Sequence, residues 1–282
     1  MTSNTNWGQL YIVATPIGNL ADMAPRALDV LSRVDLIAAE DTRHSIKLLE
    51  HFQISTTMTA YHDFSDNNST EKLIDKLKSG LNIALISDAG TPLISDPGYR
   101  LVQRARQEGL SVTPIPGACA LIAALSASGL ATDRFHFEGF LPAKTVARSK
   151  ILSDLSKVTA TLVFYEAPHR ILSSLQDMAT VFGGERQVVV ARELSKTFET
   201  FLSGSLDEVI ATVSCDSNQQ RGEIVVMVAG AVFDATEIDP DAQKLLLLLI
   251  QSLPLKQAAS IVSEYSGIKK NKLYDWGLSQ KD

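Results

Sequence analysis

Two short segments place proton acceptors beside cations, a combination suited to acid–base chemistry on a phosphate-bearing substrate. Residues 164–170 contain Glu166, His169 and Arg170, and residues 40–43 contain Asp41 and Arg43. A carboxylate or an imidazole can take a proton from a weak nucleophile, and a guanidinium binds phosphate through paired hydrogen bonds. We therefore predict Glu166, His169 and Asp41 as candidate general bases, and Arg43 and Arg170 as phosphate contacts.

Both segments also have a simpler interpretation, which stays open at this point. Asp41 or Thr42 can cap a helix, and residues 164–170 can form a surface turn with His169 near a helix N-terminus. Capping does not account for Arg43, because the helix dipole disfavours a cation in the first turn.

Residues 87–98 form the most informative loop of the sequence. Two glycines and two prolines in twelve residues fix a rigid path, and Gly90 and Gly98 can adopt positive φ. Exposed backbone amides in such a loop can hold a carboxylate, a ribose or an adenine edge, and Asp88 can approach an amino group or a ribose hydroxyl. The alternative is a purely structural turn between a strand and a helix.

Further cations fit contacts with a nucleic-acid backbone. Lys144 and Arg148 lie in a loop and the first turns of a helix, and Lys196 follows a predicted strand. A solvated surface is the simpler interpretation, and tracking of RNA phosphates is the functional one. Cys119, which follows Pro-Gly-Ala, is predicted to be a small side chain lining a pocket rather than a catalytic thiol.

Several common sites have no support in the sequence. It contains no Gly-x-Gly-x-x-Gly dinucleotide loop, no phosphate-binding Gly-x₄-Gly-Lys-Ser/Thr and no pair of histidines at His-x₃-His spacing. We therefore predict no metal site. The two cysteines suit a reducing compartment, and neither a signal peptide nor a membrane span is visible, so we expect a cytoplasmic protein. The net charge of −6 argues mildly against non-specific nucleic-acid binding, although residues 241–282 carry six lysines and four acids.

Alternating strands and helices must position these groups. Over residues 10–128, short apolar strands alternate with amphipathic helices, which predicts a mostly parallel sheet. Each unusual loop follows a strand, and ligands bind beyond the carboxyl ends of parallel strands, so the loops should share one rim. Residues 135–229 read as a second unit with a mixed sheet, including a strand at 197–202.

These patterns predict an α/β fold that is not a Rossmann fold, with three parts. An N-terminal α/β domain spans 1–117 and a second α/β domain spans 118–232. A C-terminal helical module spans 241–282. Its last two helices resemble a helix-turn-helix, and the final helix, predicted at 271–278, has a basic entry with Lys269 and Lys270, which we expect to contact RNA.

In combination, the motifs resemble one known family. They are the segments at 10–20, 39–43, 87–98, 116–118, 137–142, 164–170 and 191–196. In this order they are similar to the tetrapyrrole methylase superfamily, and within it to the ribosomal RNA small subunit methyltransferase I branch.

The resemblance implies a reaction, a donor and a set of binding residues. The implied reaction is methyl transfer from S-adenosylmethionine to the ribose 2′-oxygen of a cytidine in the decoding centre of 16S ribosomal RNA, by a homodimer acting on the small ribosomal subunit. The residues implied to line the donor site are Pro16, Asp88, Gly90, Ile94, Ala118, Cys119, Tyr165 and Leu194.

Two other functions remain open at this point. A methyltransferase for tetrapyrroles or other small molecules would share the core but would have no evident use for residues 241–282. A non-enzymatic nucleic-acid-binding regulator would explain that module but not the chemistry-rich rim.

Overall fold

The computed structural model describes residues 6–62, 67–232, 238 and 240–280. The chain divides into two compact units, Met1–Gly230 and Ala231–Asp282, and each is described by itself.

The first unit begins with a five-stranded parallel sheet, as the apolar strand patterns predict. Its strands lie in the order β3-β2-β4-β1-β5. They are β1 (Gln9–Val13), β2 (Leu36–Ala39), β3 (Met58–Ala60), β4 (Ile83–Ile86) and β5 (Ser111–Ile115). The central strands β2 and β4 are buried along their whole length, which is typical of a parallel sheet covered on both faces.

Four helices cover the two faces of this sheet. They are α1 (Pro25–Arg33), α2 (Thr42–His51), α3 (Asn67–Lys78) and α4 (Tyr99–Gln107). Helices α1 and α2 contribute to the core on one face, and α3 and α4 to the core on the other. The chain therefore leaves β1 and its neighbour β4 towards opposite faces, which opens a crevice at their carboxyl ends.

A second five-stranded sheet follows, and it is mixed. Its order is β6-β7-β10-β8-β9, with β6 and β7 parallel and the other pairs antiparallel. Its strands are β6 (Phe135–Phe140), β7 (Thr161–Glu166), β8 (Gln187–Arg192), β9 (Thr200–Ser205) and β10 (Ile224–Val228). The helices of this part are α5 (Ala120–Ala127), α6 (Thr145–Leu155), α7 (Ile171–Phe182) and α8 (Leu206–Cys215). Helix α5 packs on one face of the sheet, and the other three cover the opposite face.

The second unit is a small helical module. It contains α9 (Pro240–Leu249), α10 (Leu255–Ser266) and α11 (Lys270–Ser279) around a core that includes Leu246, Ala259 and Leu273. Gly267 ends α10 in the left-handed conformation at φ 72°, which suits a glycine. Among the described residues, no helix is both long and apolar enough to cross a lipid bilayer.

The predicted fold class is confirmed, including the parallel first sheet, the mixed second sheet and the C-terminal helices. The strand predicted at 197–202 is displaced, since β9 begins at Thr200. The preceding residues instead form a loop in which Glu193 and Ser195 have positive φ. A β-strand requires negative φ, so these residues cannot belong to one. Both sheets lie within the first unit, so the boundary at residue 117 stays a prediction.

Candidate active site

The first unit contains a cavity of about 430 Å³ bounded by loops of both sheets. The loops after β1, β2 and β4 of the first sheet contribute Ile17, Glu40, 88–91 and 94–96. The chain beyond them contributes Cys119, Ala120, Phe140, 165–168, Leu194 and 222–225. The predicted rim at the carboxyl ends of the parallel strands is therefore the place where the cavity forms.

Main-chain hydrogen bonds hold the loop at 87–98 in position. Thr15 and Gly90 pair as an isolated antiparallel bridge, with reciprocal N–H to carbonyl bonds of 2.8 and 3.0 Å. The Thr91 hydroxyl donates to the carbonyl of Ala118 at 3.0 Å. Loops that follow three different strands are thus joined into one rim.

Backbone strain is concentrated around this cavity. Leu93 and Ser95 have φ of 75° and 69° in the 87–98 loop, and Glu193 and Ser195 have φ of 53° and 67° in the loop after β8. Gln53 is the one other non-glycine residue with positive φ in the described part of the chain. Such conformations cost about 1–3 kcal/mol each and cluster at functional sites.

Three carboxyl groups lie close together at the cavity. The Asp41 amide donates to Asp88 Oδ1 at 3.1 Å, and the Asp88 amide donates to Glu40 Oε2 at 3.4 Å. Burial raises the pKa of Asp96 to about 6, with the Ser87 hydroxyl opposing the shift and the charges of Glu40 and Asp88 adding to it. Burial also raises the pKa of Glu40. Burial thus disfavours the charged forms of Glu40 and Asp96, and a cationic ligand in the cavity would favour them.

Aromatic rings form the opposite wall. The Tyr165 hydroxyl accepts a hydrogen bond from the Leu121 amide at 3.2 Å, and burial raises the pKa of Tyr165 well above its usual range. Its ring meets Phe137 and Phe140 edge to face, at centroid distances of 4.9 and 5.6 Å.

Glu166, the first predicted base, is already saturated with donors. Its buried carboxylate accepts from Arg170 at 2.8 Å, from the Ala167 amide at 2.8 Å and from the Ser174 hydroxyl. All three of these bonds are internal to the protein, so we infer that Glu166 holds the chain after β7 in place and does not act as the base. Arg170 also donates to the carbonyl of Leu141 at 3.2 Å, so its guanidinium is likewise engaged inside the protein.

The other two predicted bases do not line the cavity. His169 is exposed on a 3₁₀ turn, Pro168–Arg170. Asp41 caps α2 by accepting from the Arg43 amide at 2.9 Å and pairs with the Arg43 guanidinium at 2.8 Å. These bonds hold the pKa of Asp41 well below its usual range. Arg43 is tolerated in the first turn of α2 because its guanidinium pairs with Asp41, the residue that caps the helix.

Most residues predicted to bind the donor do line the cavity. Those that do are Asp88, Gly90, Ile94, Cys119, Tyr165 and Leu194. Ala118 lines an adjoining cavity of about 470 Å³, which shares Ile17, Cys119 and Leu194 with the first. Pro16 lines neither but precedes Ile17, which lines both.

The cations predicted to contact RNA fall into two groups. Arg148 is 2% exposed and paired with Asp177 at 2.6 Å, so the phosphate contact predicted for it is corrected to a structural ion pair. Lys196 pairs with Glu193 at 3.0 Å and with Glu223 at 3.2 Å.

The exposed group retains the capacity for phosphate. It comprises Arg43, Lys144 and Lys269, with Lys270 half-buried, and the last two belong to the second unit. Among the described residues, no group of three or more potential ligands is arranged for a metal ion.

The sequence interpretation missed several cavity residues. Glu40, Asp96, Phe140 and Glu223 line the cavity, although none was singled out. Glu40 is adjacent to Asp41, and Asp96 lies two residues from Ile94 in the unusual 87–98 loop, so their positions in these loops were the available signal.

Comparisons with known proteins agree with this geometry. A family model described as Tetrapyrrole (Corrin/Porphyrin) Methylases matches residues 9–210, and one described as RsmI C-terminal HTH domain matches residues 236–281. Curated proteins named Ribosomal RNA small subunit methyltransferase I are similar over nearly the whole chain. The one from Vibrio cholerae is 57% identical over 95% of this chain and 94% of its own. The one from Pseudomonas aeruginosa is 55% identical over 97% and 98%.

Solved structures share the fold at low identity. A diphthine synthase superposes with a TM-score of 0.59 at 15% identity, covering 79% of this chain and 90% of its own. The methyltransferase CobJ superposes with a TM-score of 0.58 at 16% identity, covering 79% and 95%.

Proposed function

Because the chain belongs to the tetrapyrrole methylase family, in the branch of the ribosomal RNA small subunit methyltransferase I proteins, we propose that it methylates a cytidine of 16S ribosomal RNA. The methyl group goes from S-adenosylmethionine to the ribose 2′-oxygen of a nucleotide in the decoding centre. The observation that carries the proposal is a carboxylate-rich cavity in a chain whose similarity to these relatives extends through the C-terminal module.

The cavity residues fit the donor. S-adenosylmethionine carries a positively charged sulfur and an ammonium group, and Glu40, Asp88 and Asp96 supply negative charge. Ile94 and Leu194 offer apolar surface. When bound, the donor supplies a methyl group that is electrophilic because its sulfur is positively charged. We assign the donor to this cavity and the one beside it.

Asp96 is the group best placed to take the proton from the ribose hydroxyl. A ribose hydroxyl is a weak nucleophile, so a base must accept its proton as the new bond forms. Asp96 lines the cavity and, unlike Glu166, has no ion-pair partner among the residues that the structure describes. Its pKa near 6 keeps it mainly ionised at neutral pH while still basic enough to accept a proton.

The exposed cations would hold the RNA. Lys144 and Arg43 are exposed in the first unit, and Lys269 and Lys270 begin the last helix of the second. Phosphate contacts of this kind position a nucleic acid without reading its sequence. The match of residues 236–281 to a helix-turn-helix model favours an RNA substrate over a small tetrapyrrole.

We include the assembly and its setting in the proposal. The chain acts as a homodimer on the assembled small subunit in the cytoplasm. Sedimentation of the purified chain at micromolar concentration tests this proposal. A homodimer should sediment with twice the mass of one chain.

The decisive experiment is methylation of purified small subunits with labelled S-adenosylmethionine. We expect label in 16S RNA at one cytidine, with resistance of the neighbouring phosphodiester bond to alkali, which identifies a 2′-O-methyl group. An Asp96→Asn variant should lose the label, and Asp154→Asn, at an exposed carboxylate of α6, should keep it. Label on a base, or on none of the RNA, would contradict the proposal.

A further inference from the structure

We propose that Phe140 is the platform on which the base of the acceptor nucleotide stacks, an inference that rests on the proposed function. Phe140 is 56% exposed at the end of β6 and lines the cavity. A large aromatic side chain left half in solvent at the mouth of a site is available to a ligand.

An irregularity in β6 aims this ring. Phe137 pairs with Val163 and Phe140 pairs with Tyr165 on the neighbouring strand β7. Val163 and Tyr165 are two residues apart and so point to the same face of the sheet. Their partners are three residues apart, and in an unbroken strand they would point to opposite faces. The register shift between Phe137 and Gly139 therefore turns Phe140 to the face on which Tyr165 meets the cavity.

Gly139 makes this turn possible. Its φ is 78°, and a Cβ there would lie 3.2 Å from the Ser95 hydroxyl. The strand thus bends where it approaches the cavity loop at 87–98, in a conformation that glycine adopts readily. The bend interrupts the regular pairing of β6 with β7 and places the Phe140 side chain at the cavity.

The chemistry of the proposed substrate identifies what an exposed ring would bind. The proposed substrate is one specific nucleotide of a folded RNA, and specific RNA sites are commonly recognised through unstacked bases that stack face to face on aromatic side chains. Tyr165 contacts the Phe140 ring edge to face at a centroid distance of 5.6 Å, and Phe140 remains accessible to a planar ligand.

Phe135 provides a matched control on the same strand. It is 43% exposed at the opposite end of β6 and does not line the cavity. Removing either ring deletes an exposed aromatic from β6, so a difference between the two variants reports on the cavity and not on the strand.

The experiment measures methyl transfer to unmethylated small subunits by the full-length chain, with donor binding measured separately by calorimetry. We expect Phe140→Ala to lower kcat/KM for the subunits by about tenfold or more, as loss of a base–aromatic stack does, with donor affinity within about twofold of wild type. Phe140→Trp should retain most activity, and Phe135→Ala should match wild type.

A second readout is independent of turnover. Indole emission of Phe140→Trp should be quenched by a single-stranded RNA containing cytidine, beyond the quenching that the wild-type chain shows under the same titration. If wild type labels no RNA, the proposed function fails, and the quenching still decides whether a base stacks at this position. Unchanged kcat/KM for Phe140→Ala, or loss of donor binding in that variant, would overturn the inference.

Discussion

The first unit presents two acidic centres that look alike in sequence and differ in how far their charge is satisfied. Glu166 ends β7 among three donors, one of them a guanidinium. Asp96 lies in the 87–98 loop beside two other carboxyl groups. The Glu166 carboxylate has all of its hydrogen bonds within the protein, and we infer that it stabilises the fold. The second centre consists of partly buried carboxyl groups that line a cavity, and no cation pairs with Asp96 in the described part of the chain, which suits this centre to binding a cation and accepting a proton.

The strongest way to break this comparison is to neutralise Asp96. Asp96→Asn should lower the rate of methyl transfer by about 10²- to 10⁴-fold, the contribution typical of a general base, while the chain stays folded. Single-turnover transfer from labelled S-adenosylmethionine measures the rate, and Asp154→Asn is the control. Transfer within about threefold of wild type would remove Asp96 from the chemistry.

Removing Glu166 should lower stability much more than it lowers the rate of methyl transfer, the reverse of the Asp96 variant. Glu166→Ala removes a buried carboxylate from the half-buried guanidinium of Arg170 and from the Ser174 hydroxyl, which should lower the free energy of unfolding by about 3 kcal/mol. Urea titration followed by circular dichroism measures this loss. Activity per folded molecule, assayed at low temperature, should stay within severalfold of wild type. A stable but inactive variant would restore Glu166 as a base.

The pH dependence of stability sharpens the comparison further. Since the pKa of Asp96 is raised to about 6 in the folded chain, its contribution to stability is present below its unfolded pKa and is lost as pH rises through about 6. Asp96→Asn should therefore gain stability relative to wild type between pH 4 and pH 7, by about 2 kcal/mol. Urea midpoints at a series of pH values test this. An equal difference at every pH would show that Asp96 is ordinarily solvated.

The smallest expected effect is a change in RNA binding on removal of Lys144, and it distinguishes Lys144 from its neighbour Arg148. Lys144 is exposed and Arg148 is buried against Asp177. Lys144→Ala should leave unfolding unchanged and reduce the salt dependence of RNA binding by about one unit of slope or less. Arg148→Ala should be destabilised, as Glu166→Ala is. A titration of RNA binding against salt, beside a urea titration, distinguishes them, and an unaltered slope for Lys144→Ala would exclude that phosphate contact.

The general fold followed from the sequence because it depends on local patterns. Apolar runs marked the strands, and the turn residues after them identified the correct rim of the sheet. The order of the strands did not follow, since it depends on which faces the helices cover.

The errors at the site share one physical cause. A sequence segment shows a charge but not its partner: Asp177 lies 29 residues from Arg148, and Ser174 lies on the helix after Glu166. Glu166 and Arg170 are four residues apart, but Glu166 ends β7 and Arg170 lies in a 3₁₀ turn, so the rule for pairs on one helix does not predict their contact. The direction of Phe140 was also not predictable, because it depends on a shift in strand register.

The bridge between Thr15 and Gly90 limits how this cavity can be reshaped. Two main-chain hydrogen bonds join the loop after β1 to the loop after β4. Moving these two loops apart to widen the cavity would break that pairing. Accommodation of a larger or smaller acceptor must therefore come from the opposite wall, where side chains such as Phe140 can be exchanged without disturbing that pairing.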